Sequence, residues 1–263
     1  MNLELKGKLA LVTGSTAGIG RAIATTLARE GARVIINGRT KASVSDVVEK
    51  LRSITGGDIL GFAGDLSIAA VAEHVIRDYP DMQILVNNLG IFELKPFEEI
   101  PDADWLRFFE VNVLSGVRLA RLILPAMRRA NWGRIIFMSS ESGVQIPAEM
   151  IHYGVTKTAQ LAVSRGLAEA VAGSAITVNS ILPGPTKSRG VGDFIDNLAK
   201  SSGQSYEQIE KEFFEKARPT SLIKRFATPE EVASLVAYIA SPLASATTGA
   251  ALRVDGGVIR SAF

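Results

Sequence analysis

Leu9-Ala10-Leu11-Val12-Thr13-Gly14-Ser15-Thr16-Ala17-Gly18-Ile19-Gly20 is a short apolar run that breaks into a glycine-rich turn, and RAIATTLARE, residues 21–30, follows it with helical spacing. The pattern predicts a strand, a tight turn and a helix closed by Gly31, because glycine suits the left-handed position just past a helix end. Gly14, Gly18 and Gly20 let the backbone turn sharply and approach a ligand closely. Free N–H groups and the dipole at the helix start then favour a pyrophosphate. The spacing, G-x-x-x-G-x-G, is neither the G-x-G-x-x-G fingerprint nor a Walker loop. Taken alone, the stretch also fits a glycine-rich turn that binds nothing.

The alternation of apolar run and helical segment continues to the end of the chain. KLALVTG, ARVIING, DILGFAG, MQILVNN, GRIIFMSS, SAITVNSI and GAALRVDGG are each short and almost continuously apolar up to a closing Gly, Asn or Ser. Such runs suit parallel strands buried on both faces, with crossover helices between them. The predicted fold class is α/β: a doubly wound parallel seven-stranded sheet, a Rossmann fold, flanked by helices and binding ligands beyond the carboxyl ends of its strands. No repeat, low-complexity tract or linker interrupts it, so residues 1–263 read as one domain. From about Lys187 to Pro219 no strand is predicted. Val191, Phe194, Ile195 and Leu198 fall at i, i+3, i+4 and i+7, and Ile209, Phe213 and Phe214 continue the theme. Two short amphipathic helices follow from that spacing. A helical substrate lid and a packed arm or subunit contact are equally good readings of them.

Composition removes several function classes. Net charge is +2 and the basic residues are dispersed, which argues against nucleic acid as a partner. Absence of cysteine excludes disulfides, thiol catalysis and thiolate metal sites. With only His74 and His152, a zinc-dependent dehydrogenase lacks its usual ligands, and no metal is expected. The start, MNLELKGKLALVTG, has an apolar run too short for a signal sequence or a membrane span. A cytoplasmic protein with no membrane partner is the expectation.

Tyr153 and Lys157, in HYGVTK, share one helix face at i and i+4, and Ser140 lies upstream in GRIIFMSS. An ammonium near a phenol favours the phenolate, so the pair predicts a proton donor or acceptor working closer to neutrality than free tyrosine. A solvated surface pair would have the same spacing.

TGSTAGIG, Asn87-Asn88-Leu89-Gly90, Asn112, Ser140, the Tyr153/Lys157 pair, Pro183-Gly184 and the closing VDGG occur in this order along the whole chain. Together they resemble the short-chain dehydrogenase/reductase family, and 3-oxoacyl reductase-like members within it. The resemblance implies hydride transfer between a nicotinamide and a carbonyl or alcohol. It makes Tyr153 the general acid/base, Lys157 the group that lowers its pKa and holds the nicotinamide ribose, Ser140 the residue that orients the substrate carbonyl, and Asn112 part of a proton relay through water to Lys157. A buried amide bonded to a neighbouring helix is an equally compatible role for Asn112.

The implied cofactor set is Gly14, Ser15, Thr16, Gly18, Ile19 and Gly20 in the loop, Arg39 after the second strand, Asp65 and Leu66 after the third, and Asn88 and Gly90 after the fourth. Tyr153, Lys157, Pro183, Gly184, Thr186 and Ser188 complete it. Leu89 stands where the family usually has Ala, and either crowds the cofactor wall or points into the core. Asp65 contacts the adenine amine or caps the next helix. Gly38 occupies the place of the carboxylate that binds the ribose hydroxyls in NAD enzymes, and Arg39 follows it; a guanidinium suits a 2′-phosphate, so NADP(H) is preferred with NAD(H) possible. Ala17 supplies no second basic residue.

Substrate choice is expected in Glu141 to Ile151, in Ile91 to Leu94 and in the lid, which are largely apolar. A hydrophobic or acyl-type ketone fits them. Gly173-Ser174-Ala175 lacks the arginine that carrier-protein reductases often show there, and Arg128 and Arg129 are expected to cap their own helix. His152 is expected at a surface or interface. The other functional readings are a cofactor-binding regulator without catalysis, encouraged by Leu89, an NAD-dependent alcohol dehydrogenase, and a sugar epimerase or dehydratase. Long helices near Asp102 to Ala130 and Ile151 to Val171 imply a homotetramer, or a dimer.

Overall fold

A computed structural model describes residues 2–188 and 205–262. All seven apolar runs form strands of one parallel sheet: β1 Leu9–Val12, β2 Arg33–Gly38, β3 Ile59–Ala63, β4 Ile84–Asn87, β5 Gly133–Met138, β6 Ile176–Pro183 and β7 Ala251–Val254. Their order is β3-β2-β1-β4-β5-β6-β7. Leu11 pairs with Ile35 on one side and Leu85 on the other. The chain winds outward from β1 to β3 and then returns to place β4 beside β1. That reversal opens the crevice where ligands bind in such sheets.

Side chains alternate across the sheet, as a period of two requires. Ala10, Val12, Val34, Ile36 and Val86 pack with helices α1 (Gly18–Arg29), α2 (Lys41–Thr55) and a later helix, Pro229–Ala240. Leu9, Leu11, Ile35, Leu85 and Phe137 pack with α3 (Ala69–Asp78), Ser115–Ala130 and Ile151–Ala170. Central strands β1, β4, β5 and β6 are buried throughout, whereas the edge strands β3 and β7 alternate in exposure. Burial on both faces therefore fails only where a strand has one neighbour.

The rod expected from Asp102 to Ala130 has a defect at its centre. Helix α4 (Asp102–Phe109) passes into a π turn over Glu110–Leu114 before α5 (Ser115–Ala130) resumes. A π turn adds a residue to the turn and leaves a carbonyl without its helical partner, a device concentrated at functional sites. Asn112 sits in the middle of it. Helix α6 (Ile151–Ala170) carries Tyr153 and Lys157.

In the segment after β6, α7 (Tyr206–Lys216) begins with a Ser205/Gln208 capping box and buries Ile209 and Phe214 against Phe226. The other expected helix, at Val191, Phe194, Ile195 and Leu198, lies outside the described residues. Helix α8 (Pro229–Ala240) is capped by Thr228 and Glu231, with Pro229 in its first turn. Arg128 donates to the carbonyl of Ala170 at 2.8 Å. It therefore caps the end of α6 instead of its own helix.

Candidate active site

Three loops meet at the carboxyl ends of β1, β2 and β4. Thr13 Oγ1 accepts the N–H groups of Asn88 and Leu89 at 2.9 and 2.8 Å, and Asn88 Nδ2 donates to the carbonyls of Thr13 and Gly14 at 2.9 and 3.3 Å. Asn37, which no motif singles out, joins the remaining edges. Its Oδ1 accepts from Gly14 N–H at 3.0 Å, and its Nδ2 donates to Phe62 and Gly64 carbonyls beside β3. Ser15 and Asn37 also exchange two hydrogen bonds, of 2.8 and 2.9 Å.

This network holds the glycine turn in a shape only glycine fills. Gly14 and Gly18 take positive φ of 61° and 54°. A Cβ on Gly20 would lie 2.5 Å from Asn88 Nδ2 and 2.6 Å from the Gly14 carbonyl. The N-cap of α1, Ala17, offers no side-chain cap, and the first turn contains no acid. Its N–H groups and positive dipole end are thus available to an anion. Thr16, Gly18 and Ile19 lie on this turn, so the residues present fit a dinucleotide phosphate.

Gly38 ends β2 against the same loop. A Cβ there would stand 2.5 Å from Thr16 Cγ2 and 3.3 Å from Val44 Cγ2, so the position accepts no side chain unless Thr16 moves. Arg39 follows it, exposed to solvent. Asp65 forms a local turn through Oδ1, which accepts from Ser67 N–H and Oγ at 3.0 and 2.6 Å. It does not cap α3, whose N-cap is Ile68, and the capping alternative is thereby corrected. Leu66 beside it is fully buried. Leu89 packs with the α3 and α5 core layer and also borders Gly14.

Ser140 follows β5, in a loop tied down to α6. Ser139 Oγ donates to the Lys157 carbonyl at 2.8 Å, and Thr158 Oγ1 donates to the Gly143 carbonyl at 2.7 Å. Gly143 comes so close to α6 that a Cβ would meet the Lys157 carbonyl carbon at 2.9 Å. These ties set Ser140 beside Tyr153, close enough to pull the phenol's pKa down. Phe92 meets the Tyr153 ring edge to face, with centroids 6.3 Å apart.

Lys157 Nζ donates to the Met138 carbonyl at 2.8 Å and to Gln160 Oε1 at 3.2 Å, and stands 5.5 Å from the Tyr153 ring centroid. Asn112 Nδ2 donates to Thr156 Oγ1 and to the Ile91 carbonyl at 2.9 and 3.0 Å, while its Oδ1 accepts from Ile91 N–H at 2.8 Å. Its main-chain carbonyl, within the π turn, accepts from Gln160 Nε2 at 2.6 Å. Asn112 is thus linked to Lys157 through Gln160, a residue absent from any sequence motif. A Cβ on Gly90 would lie 3.5 Å from both Asn112 Oδ1 and Lys157 Nζ, so Gly90 borders the same point.

Electrostatics departs from the expected lowering of the tyrosine pKa by lysine. Burial and then the nearby Glu141 carboxylate push the Tyr153 phenol up, while Ser140 and Arg218 pull it down to a lesser extent. Burial lowers Lys157 to about 7, which weakens the positive charge that was to act on the phenol. The protein's own groups therefore keep Tyr153 protonated at neutral pH, as a donor.

Pro183 ends β6, Gly184 donates to the Val254 carbonyl at 3.0 Å, and Thr186 Oγ1 donates back to the Gly184 carbonyl at 2.8 Å. Ser188 N–H bonds the Thr186 carbonyl at 2.6 Å. A Cβ on Gly184 would strike the Asp255 carbonyl at 2.5 Å, so this loop leans on the VDGG turn. His152 is fully buried, its ring 4.0 Å from that of Phe108 and 6.1 Å from that of Trp105. The expected surface or interface position is corrected: helix α4 covers it, and burial lowers its pKa. Arg218, just after α7, reaches into the loop after Ser140, although nothing in its sequence neighbourhood marks it.

The chain is similar to known proteins along its whole length. A family model described as enoyl-(acyl carrier protein) reductase matches residues 14–259. The chain is 47% identical over 264 residues to the uncharacterized oxidoreductase YvaG of Bacillus subtilis, with both proteins covered in full. It is 34% identical to the 3-oxoacyl-[acyl-carrier-protein] reductase FabG of Aquifex aeolicus, covering 98% of this chain and 100% of that one. Among solved structures, L-sorbose reductase from Gluconobacter frateurii, complexed with NADPH and L-sorbose, superposes with a TM-score of 0.93 at 33% identity, over 99% of this chain and 100% of that one.

Proposed function

The chain belongs to the short-chain dehydrogenase/reductase family, and from that premise we propose an NADP(H)-dependent enzyme acting on a carbonyl or secondary alcohol, hydrophobic or acyl-type in character. The observation that carries this is the meeting of Ser140, Tyr153, Lys157 and Asn112 beside a glycine turn shaped for a dinucleotide. Gly14, Ser15, Thr16, Gly18, Ile19 and Gly20 would hold the phosphates, Asp65 and Leu66 the adenine, and Asn88, Gly90, Pro183, Gly184, Thr186 and Ser188 the remainder. Bound there, the nicotinamide supplies or takes up the hydride. Tyr153 gives its proton to the substrate oxygen, Ser140 orients that oxygen, Lys157 holds the ribose, and Asn112 with Gln160 supports Lys157.

Leu89 was the motive for a regulator without catalysis. Its packing into the core layer removes that motive. A preference for NADP(H) is supported by Arg39, by the steric bar to a carboxylate at Gly38, and by the NADPH bound in the L-sorbose reductase structure. Arg39→Leu is expected to lower the NADPH-to-NADH ratio of kcat/KM by about 10- to 100-fold, as loss of a charge-assisted contact does. Steady-state kinetics with both cofactors across a ketone panel measures it, and an unchanged ratio removes Arg39 from the reading.

The raised phenol predicts an asymmetry with pH. Below its pKa Tyr153 is an acid, so ketone reduction is expected to hold its rate from neutral pH upward until the phenol ionises. Alcohol oxidation needs the phenolate and is expected to climb steadily toward alkaline pH. Rate profiles in both directions from pH 6 to 10 read this directly, and coincident profiles would contradict it.

Exposed Leu106, Phe109 and Val155 on α4 and α6, and a cleft between α5 and α6 lined by Val117, Leu124, Val163 and Leu167, support pairing of copies into a homotetramer or dimer. The cytoplasm is the proposed location. No helix among the described residues is long and apolar enough to cross a membrane.

A further inference from the structure

Proton delivery to a carbonyl requires Tyr153 and is helped by Ser140, yet a carboxylate stands in the same place. Glu141, only 5% exposed, accepts from Ser140 Oγ through Oε2 at 2.5 Å and from Arg218 Nε through Oε1 at 3.2 Å. Arg218, 8% exposed, is shared with Glu149 at 3.2 Å. Two carboxylates thus face one guanidinium, and the cluster keeps a net negative charge. The Glu141 charge is close enough to Tyr153 to act on its phenol.

Stability does not explain this arrangement. Burying an ion pair costs desolvation that an apolar pair of the same size avoids, and such replacement is often neutral or stabilising. Surrounding walls are apolar: Phe92 meets the Tyr153 ring edge to face, Ile146 packs over Gly154, and Val144 is exposed nearby in the loop. Among the described residues each Glu141 carboxylate oxygen takes one hydrogen bond, whereas an ionised carboxyl has about four acceptor sites. Capacity for a further donor therefore remains, beside the serine that would hold the reacting oxygen.

We propose that Glu141 is a specificity-determining residue that accepts a hydrogen bond from a hydroxyl on the carbon next to the reacting one, making α-hydroxy ketones and the corresponding diols the preferred substrates. Reach is sufficient: Ser140 has one proton to give, so a ketone oxygen bound to it takes that proton from Glu141 Oε2, which then lies about 5 Å from the reacting oxygen, and a hydroxyl on the neighbouring carbon fills that interval and replaces the lost donor. Arg218 holds the carboxylate in place, and the surplus negative charge with Glu149 disfavours a carboxylate at the same substrate position. The inference rests on the carbonyl-reductase reading above and narrows it, since a simple 3-oxoacyl chain has no donor at that carbon.

Three ketones of matched shape test it with NADPH: 2-hydroxyacetophenone, propiophenone, and phenylglyoxylate, which carry hydroxymethyl, ethyl and carboxylate beside the same carbonyl. The wild-type protein should favour the hydroxy ketone over propiophenone by about 10- to 100-fold in kcat/KM, as expected for a bond to a charged acceptor, and should use phenylglyoxylate least. Glu141→Gln should reduce the hydroxy-to-ethyl ratio by about tenfold or more, whatever loss both substrates share through Ser140. If that variant misfolds with Arg218 left unpaired, the double variant Glu141→Leu with Arg218→Met removes one charge of each sign, leaves the net charge of the cluster unchanged and should bring the ratio close to one. Turnover of all three ketones without the stated order, or a ratio unmoved by these variants, overturns the role of Glu141 and leaves the reductase standing. Absence of NADPH oxidation with any of the three ketones and throughout the wider ketone panel overturns both.

Discussion

Tyr153→Phe is expected to lower ketone reduction by about 100- to 10,000-fold, the range for loss of a positioned general acid. Removal of one oxygen should do little else. The residue is partly exposed, Phe92 meets its ring edge to face, and Ser140 Oγ keeps the Glu141 carboxylate and the Ser142 N–H as partners. Thermal denaturation and NADPH titration should therefore match wild type while turnover collapses. Activity within about tenfold of wild type would mean that another group delivers the proton, and the assignment of Tyr153 would be wrong.

Lys157→Met is the second large effect, and its two consequences run in opposite directions. Turnover should fall by about 100-fold or more, because Lys157 is the group that would position the ribose and charge the surroundings of the phenol. Stability should respond with a sign set by burial. Lys157 titrates at about 7 in the folded protein and near the ordinary lysine value of 10.5 when unfolded. Between those values the unfolded chain binds the proton and the folded chain does not, so wild-type stability rises with pH, by at most about 1.4 kcal/mol per unit. Below the folded value the full cost of carrying the buried ammonium is present. Methionine removes this dependence, while loss of the bonds to the Met138 carbonyl and Gln160 is a constant offset at every pH. The stability of the variant relative to wild type should therefore be more favourable at pH 6 than at pH 9. Urea denaturation at the two values measures it, and equal differences at both would show that Lys157 carries its charge in the fold without strain.

Much of the fold was legible because each buried parallel strand leaves the same mark, an apolar run closed by a small or polar residue. The two edge strands read less well for the same reason, since Gly61 and Arg253 answer to solvent on one side. The loop and the Tyr153/Lys157 pair were legible because their chemistry demands fixed spacing along a helix or turn. Contacts that depend on where two distant segments meet left no such trace. Asn37 joins β1, β2 and β3 through an ordinary amide, Gln160 meets the Asn112 carbonyl only because a π turn frees it, and Arg218 finds Glu141 from 77 positions away. The sign of the tyrosine shift is not legible because spacing gives proximity to a lysine and says nothing of how dry the site is. The burial of His152 is not legible because its cover comes from α4, outside its own helix.

The contact between Gly38 and Thr16 bears on how such an enzyme changes its cofactor through descent. An acidic side chain at position 38 is the simplest way to favour the ribose hydroxyls of NAD(H), yet its first carbon would overlap Thr16 Cγ2. A lineage that acquires the acid first passes through a crowded intermediate, whereas one that first trims Thr16 to a smaller residue does not. The two substitutions are open in one order and obstructed in the other, so ancestry at position 16 limits what selection can later do at position 38.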